Sequence, residues 1–223
     1  MGPRAGPDRL TIPDPHTLWL FSLAALALLV VPGPAVIYIV TRSVDQGRTA
    51  GLVSMLGMHV GSVVHVTAAA LGLSAILVTS STAYSVVKYA GAAYLVFLGL
   101  RTLLVRAESA PEVITERRSL RRIFLQGVVV NVLNPKTALF FFAFLPQFVD
   151  VSRGSVPGQM AILGAVFILL GMLSDGAYAL VASSAGSWLR RSAWFPRVRR
   201  YVSGSVYLGL GAAAALSGSR SRP

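Results

Sequence analysis

Residues 18–40, LWLFSLAALALLVVPGPAVIYIV, are apolar throughout yet contain Pro32-Gly33-Pro34 near their middle. Residues 123–147, IFLQGVVVNVLNPKTALFFFAFLPQ, contain Asn134-Pro135-Lys136 at a similar place. Each stretch is long enough to cross a bilayer, which takes about 20 apolar residues. A proline there removes an N–H donor and leaves a backbone carbonyl without its helical partner, which is unfavourable in hydrocarbon unless another group satisfies it. The two stretches therefore predict two broken membrane helices.

The composition indicates a membrane protein. The chain is 54% hydrophobic and 13% charged, whereas a soluble domain carries about 25% charged residues. Its net charge is +12, but the arginines lie between apolar runs, where they orient a membrane protein and contact anionic lipid. We therefore expect membrane lipid, and no nucleic acid, as a partner. The chain has no cysteine, and no phosphate-binding loop or nucleophile motif, so we expect no enzyme activity, cofactor or metal site.

Six apolar segments predict an all-α integral membrane protein. They are residues 18–40, 52–79, 84–105, 123–147, 158–183 and 200–217. Ser203, Gly204 and Ser205 dilute the last segment, so a five-helix alternative stays open. The expected organisation is an N-terminal tail 1–17, a six-helix domain 18–217 and a C-terminal tail 218–223. Its halves are about 18–105 and 123–217, joined by a charged linker 106–122.

The arginines predict the orientation. They concentrate in the loops after the first, third and fifth segments, and the positive-inside rule places those loops in the cytoplasm. The chain would then be a multi-pass protein of the cytoplasmic (inner) membrane with both termini outside. Three helices per half is an odd number, so the halves would be two inverted three-helix repeats. Each half carries its break in its first helix, which is the layout typical of a secondary transporter.

The breaks also predict chemistry. After Pro32-Gly33-Pro34 and after Asn134-Pro135, a new half-helix begins with unpaired N–H groups that suit a carboxylate. The carbonyls before each break suit an ammonium group or a proton-linked water. An amino acid carries both charged groups, so we predict its binding site here; two ordinary proline kinks are the alternative. Asn131 and Asn134, on one helix face, either satisfy the carbonyls or contact the substrate.

Asp175 is the acidic residue that lies away from loops and tails, and an intramembrane carboxylate is a functional candidate by default. Lys136 lies 14 residues after Arg122, and Asp175 lies 15 residues before Arg190. At ~1.5 Å per residue the two side chains lie at a similar depth, so we predict an ion pair. The pair either only locks two helices together, or substrate and proton compete for it and it couples their transport.

The second segment contains His59 and His65, six residues apart and therefore not on one helix face. A metal pair would have i, i+4 spacing, so each histidine is expected to bond a neighbouring backbone. A proton relay is the alternative, for which His65 is the candidate. Tyr38 and Tyr178 are candidates for hydroxyl groups that line a central cavity.

Several motifs in this order resemble the LysE/RhtB family of amino-acid exporters. They are Pro32-Gly33-Pro34; Arg42-Ser43, Gln46-Gly47-Arg48 and Ala50-Gly51-Leu52; Lys88 to Leu95 with Leu98-Gly99; Gln126-Gly127 to Lys136; and Phe144 to Phe148. The resemblance covers residues 18–217 and implies six helices in inverted halves and export of amino acids or derivatives against protons. The family often has an acid on its second helix after a glycine. Here Ser62 follows Gly61, which shifts the expected proton role to Asp175.

The sequence thus predicts a secondary transporter that exports amino acids or their derivatives, by proton antiport. Its partners would be the amino-acid substrate, protons and lipid. Gly57 and Gly61 permit close helix approach within the chain or between subunits, so a homo-oligomer stays open. Two rival functions remain. A divalent metal-ion exporter would need several intramembrane carboxylates, and a non-transporting scaffold or assembly factor would need no central cavity.

Overall fold

A computed structural model describes residues 12–73, 81–104 and 118–191, with positions 205, 208 and 212. The regular elements in these ranges are all helical. The α-helices are α1 (Pro15–Val30), α2 (Pro34–Gln46), α3 (Arg48–Ala68), α4 (Ser81–Leu104), α5 (Leu120–Val132), α6 (Pro135–Leu139) and α7 (Val156–Arg191). α3 continues into a π-helical turn, Ala69–Leu73. α6 continues into a π-helical turn, Phe140–Phe144, which is followed by a 3₁₀ turn, Leu145–Phe148. A short 3₁₀ turn, Val151–Arg153, precedes α7.

The first predicted helix is broken where Pro-Gly-Pro interrupts it. α1 ends at Val30, α2 begins at Pro34, and their axes differ by 54°. α1 begins at Pro15, three residues before the predicted start, because the Asp14 carboxylate accepts a hydrogen bond from the Thr17 amide and caps the helix. A cap of this kind satisfies one of the N–H groups that every helix start leaves unpaired.

α2 continues to Gln46, beyond the predicted end at residue 40. Arg42, expected in a loop, therefore lies within the helix and is buried, with its guanidinium 5.3 Å from the centre of the Tyr38 ring. Gly47 alone joins α2 to α3, and its φ of 84° lies in the left-handed region that glycine adopts without strain. The turn is thus a single residue.

The second predicted break is also present. α5 ends at Val132, α6 begins at Pro135, and the path through Phe148 bends by 47°. The Asn134 side chain accepts a hydrogen bond from the Lys136 amide and caps the new helix. Both Asn-Pro and Pro-Gly-Pro therefore end one helix and start another, as the loss of proline N–H groups predicts.

The described helices confirm a multi-pass, all-helical membrane protein at the coarse level. Arg48–Gly72 and Val156–Ser184 are long and apolar enough to cross a membrane, and each bent pair adds one span if it crosses as a unit. That makes two to four spans in the described ranges. α4 covers most of the predicted third segment. Most of the linker and nearly all of the sixth segment lie outside the described residues, so six helices in inverted repeats stay a prediction.

α3 and α5 approach each other closely because glycines face their contact. A Cβ atom on Gly57 would overlap the backbone carbonyl of Phe124, and one on Gly61 would lie 2.8 Å from Asn131 Cβ. A Cβ on Gly127 would lie 2.9 Å from the carbonyl oxygen of Ser54. The small-residue motif on α3 therefore serves packing within the chain. α7 lies against α1, α2 and α3 and closes the bundle around both breaks.

Candidate functional site

A buried polar cavity lies where the two breaks meet α3 and α7. Its volume is about 30 Å³, which is room for roughly one water molecule. The backbone of Gly33, Ala35 and Val36 forms one wall. The polar side chains that line it are His59, Ser62, Asn131, Asn134, Lys136, Thr137 and Asp175. The cavity is too small for a molecule the size of an amino acid in this conformation.

The carbonyls at the first break receive hydrogen bonds from distant side chains. The Lys136 ammonium, from α6, donates to the Val31 carbonyl at 2.5 Å. The Tyr178 hydroxyl, from α7, donates to the Val30 carbonyl at 2.7 Å. The Leu28 carbonyl accepts from the Val31 amide at 3.2 Å within α1's own last turn. The break is therefore satisfied by the chain itself, as hydrocarbon surroundings require.

The start of α2 is different because no side chain caps it. Gly33 occupies the cap position, and Pro34 has no N–H group. The next two residues, Ala35 and Val36, line the cavity. The partial positive charge of this helix start therefore faces the cavity without a neutralising side chain. By contrast, the start of α6 is already capped by Asn134.

Asn131 connects the second break to α3. Its side-chain amide donates to the Met58 carbonyl at 2.6 Å and to the Ser62 hydroxyl at 2.8 Å, and its side-chain oxygen accepts from Thr137 at 3.0 Å. His65 Nε2 lies 3.0 Å from the Asn131 carbonyl, the group that Pro135 leaves without a helical donor. A carbonyl only accepts, so this nitrogen carries the hydrogen. Asn131 is thus fully engaged by the protein and positions the break.

Asp175 lies beside His59, which was expected to bond a neighbouring backbone rather than a carboxylate. Its carboxylate oxygen is 3.3 Å from His59 Nε2, and both side chains are 7% exposed. Gly171, one turn earlier on α7, makes room for the ring, since a Cβ there would lie 2.5 Å from His59 Cε1. When His59 is protonated the two groups form an ion pair, so the dyad is a place where one proton changes the local charge balance.

The structure brings five of the predicted site residues to the cavity lining: Gly33, Asn131, Asn134, Lys136 and Asp175. The prolines at positions 32, 34 and 135 shape the breaks and are not among the cavity-lining residues. Lys136 and Asp175 line the same cavity. In this conformation, however, the ammonium bonds Val31 and the carboxylate lies beside His59.

His65 was expected to bond a neighbouring backbone, with a proton relay as the alternative. Its ring packs parallel to the Phe141 ring at 6.1 Å, away from the cavity lining. Its relay role stays a prediction. The contact of His59 with Asp175 was not predicted, because each histidine was expected to bond a neighbouring backbone. The depth of His59 in the membrane could have predicted this contact. His59 is 11 residues past Arg48, which places it within about one helical turn of the depth counted for Asp175. Across the described ranges, no group of three histidine, aspartate or glutamate side chains is arranged to hold a metal ion.

Broken membrane helices that meet at a buried polar cluster, with a carboxylate and a lysine in the membrane, are the architecture of a membrane transporter. The sequence matches the LysE type translocator family over residues 26–218. The chain therefore belongs to the LysE type translocator family and is a transporter rather than an enzyme.

Relatives are similar over nearly their whole length. An uncharacterised membrane protein, YrhP, of Bacillus subtilis is 27% identical over 91% of this chain and 100% of its own. A homoserine/homoserine lactone efflux protein of Salmonella typhimurium is 28% identical over 87% of this chain and 94% of its own. An uncharacterised membrane protein, PA4757, of Pseudomonas aeruginosa is 30% identical over 87% and 89%. No solved structure matches the chain.

Proposed function

We propose that this chain exports amino acids or amino-acid derivatives across the cytoplasmic membrane in exchange for protons. The observation that carries the proposal is the first break. The uncapped start of α2, which suits a carboxylate, lies at the cavity. The Val31 carbonyl at the same break already holds the ammonium group of Lys136, which lines that cavity. A relative named for homoserine and homoserine lactone efflux supports the same substrate class.

Lys136 acts as an internal substitute for the substrate's ammonium group. Its ammonium occupies the Val31 carbonyl while the cavity is too small for an amino acid. A substrate that binds the same carbonyl has to displace Lys136. The displaced ammonium needs a new partner in a site with little water, and the nearby carboxylate of Asp175 supplies it.

This exchange explains how substrate and proton would compete. With Lys136 at Val31, a protonated His59 balances the charge of Asp175. When substrate moves Lys136 onto Asp175, the proton on the dyad faces a second positive charge and is released. Substrate and proton then bind alternately, which is the requirement for antiport. Asp175 thus couples substrate transport to proton transport. Lys136 moves between the Val31 carbonyl and Asp175, and His59 shares the proton with Asp175.

The same proposal includes the remaining architecture. The chain would form two inverted three-helix repeats with both termini outside, and its arginine-rich loops would face the cytoplasm. α2 and α5 would be the cytoplasmic halves of the two broken helices. Alternating access would open the cavity first on one side of the breaks and then on the other.

The test is efflux of radiolabelled homoserine from proteoliposomes with and without an imposed pH gradient. We expect uptake of protons to drive efflux by the unmodified chain, and Asp175→Asn and Pro135→Ala to abolish it in well-folded protein. Asp150→Asn, an exposed acid at the opposite end of α7 from the arginine-rich loops, is the matched control and should transport normally. Unchanged efflux in both test variants would exclude the proposal. A set of other amino acids and homoserine lactone, run as competitors, identifies the preferred substrate.

A further inference from the structure

An open groove of about 690 Å³ lies at the end of the bundle where α2 turns into α3. Tyr38 of α2 forms one side, and the residues around the start of α5 form the other. Its lining includes Arg118, Arg121, Arg122, Leu125, Gln126 and Val129. We call it the arginine groove. The proposed transport mechanism does not use it.

Arg118 is held in a fixed position within this groove. Its backbone amide donates to Gln46 Oε1 at 3.0 Å, and its carbonyl accepts from Gln46 Nε2 at 2.9 Å. Its guanidinium donates to Gln126 Oε1 at 2.5 Å, and Tyr38 donates to the same oxygen at 3.2 Å. The Arg118 Nε atom is buried and makes no hydrogen bond within the described ranges. The guanidinium is therefore organised before any ligand arrives.

The ion pairs that the structure describes do not include the arginines of the groove. The ion pairs found there join Asp175 to His59, and Arg153 to Asp14 and Asp150. None of these pairs involves Arg118, Arg121 or Arg122, and the last two are exposed. Three arginines around one open groove favour an anion with several oxygen atoms, such as a phosphate.

An exposed apolar stripe continues from the arginines along α5. Arg121, Leu125, Val129 and Leu133 follow one another at four-residue spacing and share a helix face. Leu125 is 50% exposed, Val129 54% and Leu133 74%. From Arg121 to Leu133 the stripe extends roughly 18 Å along the helix. A cationic end followed by an apolar track matches a phospholipid, whose phosphate is joined to long acyl chains.

We propose that the arginine groove binds an anionic phospholipid. The phosphate lies between Arg118, Arg121 and Arg122, and an acyl chain lies along Leu125 and Val129. A free phosphate or a substrate carboxylate would use the arginines but gain nothing from the stripe, so the stripe favours the lipid. The site is independent of the proposed substrate and of the direction of transport.

The test is native mass spectrometry of the full chain in detergent with added phosphatidylglycerol or phosphatidylcholine. Each arginine near an anionic headgroup changes its affinity about fivefold, so Arg121→Gln with Arg122→Gln should weaken phosphatidylglycerol binding about 25-fold. Phosphatidylcholine binding should not change, and it also reports that the variant is folded. Arg153→Gln, at the other end of the bundle, is the matched control and should retain the preference for phosphatidylglycerol.

Four outcomes would overturn the proposal. The preference could survive the double substitution, or Arg153→Gln could reduce it equally, which would indicate unspecific charge attraction. Glycerol phosphate, which has no acyl chains, could compete as strongly as the lipid, which would indicate a free phosphate site. Finally, replacing Glu108, Glu112 and Glu116 by glutamine could raise lipid affinity tenfold or more. That result would show that the arginines pair with these glutamates rather than with a lipid phosphate.

Discussion

The Lys136 ammonium nitrogen lies 2.5 Å from the carbonyl oxygen of Val31, so a side chain at one helix break caps the backbone at the other. The two residues are 105 positions apart in the sequence. Their contact joins the two breaks directly. It also occupies the group on which an incoming ammonium would depend, and this places Lys136 at the centre of the predictions below.

Replacing Lys136 by methionine keeps the length of the side chain and removes its charge. We expect the variant to bind homoserine several-fold more tightly, because the substrate no longer displaces an internal ammonium. We also expect efflux to lose its dependence on the pH gradient, since no cation remains to move onto Asp175. Binding by isothermal calorimetry and efflux from proteoliposomes measure the two effects. A variant with weaker binding and intact coupling would contradict this role.

His59→Gln should separate proton coupling from folding. Glutamine keeps a hydrogen-bonding group beside Asp175 but does not take up a proton near neutral pH. We expect counterflow, the exchange of labelled for unlabelled homoserine, to persist while gradient-driven efflux falls at least tenfold. Ser184→Ala, at an exposed position on α7, is the control. Gradient-driven efflux at the normal rate in His59→Gln would show that Asp175 couples without the histidine.

Asn131→Leu should destabilise the protein rather than change its substrate. The substitution removes three side-chain hydrogen bonds and leaves a buried carbonyl of Met58 and a buried hydroxyl of Thr137 without their partner. Each unsatisfied buried group costs about 1–3 kcal/mol, so we expect a clear fall in the free energy of unfolding. Thermal unfolding in detergent measures it. A variant with normal stability and a lower affinity for homoserine would instead make Asn131 a substrate ligand.

Gly57→Ala and Gly72→Ala form a matched pair of substitutions. A Cβ on Gly57 would overlap the backbone carbonyl of Phe124, which does not move without separating α3 from α5. A Cβ on Gly72 has no atom within 4 Å. We expect Gly57→Ala to lower the melting temperature by several degrees, since overpacking costs about 1–3 kcal/mol, and Gly72→Ala to leave it unchanged. If the two substitutions lowered the melting temperature equally, Gly57 would not lie at the contact between α3 and α5.

The start of α1 should depend on pH. The amide and hydroxyl groups of Thr17 donate to the Asp14 carboxylate and lower the pKa of Asp14 below its ordinary value of 3.8. A carboxyl with a lowered pKa contributes stability above its ordinary pKa and loses it as the pH falls through the folded value. The protection factor of the Thr17 amide, which is its exchange rate in the unfolded chain divided by that in the folded protein at the same pH, should therefore be constant above pH 3.8 and fall as the pH drops below it. Asp14→Asn should remove this pH dependence.

The sequence identified the elements that depend on local chemistry. A proline removes its own N–H group wherever it stands, so the breaks at Pro32 and Pro135 could be predicted. Counting residues along a helix also gave the common depth of Lys136 and Asp175. Counting does not give the rotation of each helix about its axis. The contacts of Lys136 with Val31 and of Asp175 with His59 depend on that rotation, so they required the structure.

The end points of helices were harder to predict than their existence. The start of α1 depends on one carboxylate cap, and the end of α2 on the left-handed backbone of Gly47. Hydropathy alone placed Arg42 in a loop because it is charged. The structure buries it within α2 beside Tyr38, where an aromatic face accepts the guanidinium.

Asn131 and the glycines of α3 and α5 together limit how the transporter can move. Asn131 bonds α3 through its side chain and its carbonyl, and the glycines leave no side chains between the two helices on which they could slide. α3 and α5 therefore behave as one rigid body. Any rearrangement that enlarges the cavity has to take place around this body, where single polar contacts such as those of Lys136 with Val31, Tyr178 with Val30 and His59 with Asp175 can break and form again.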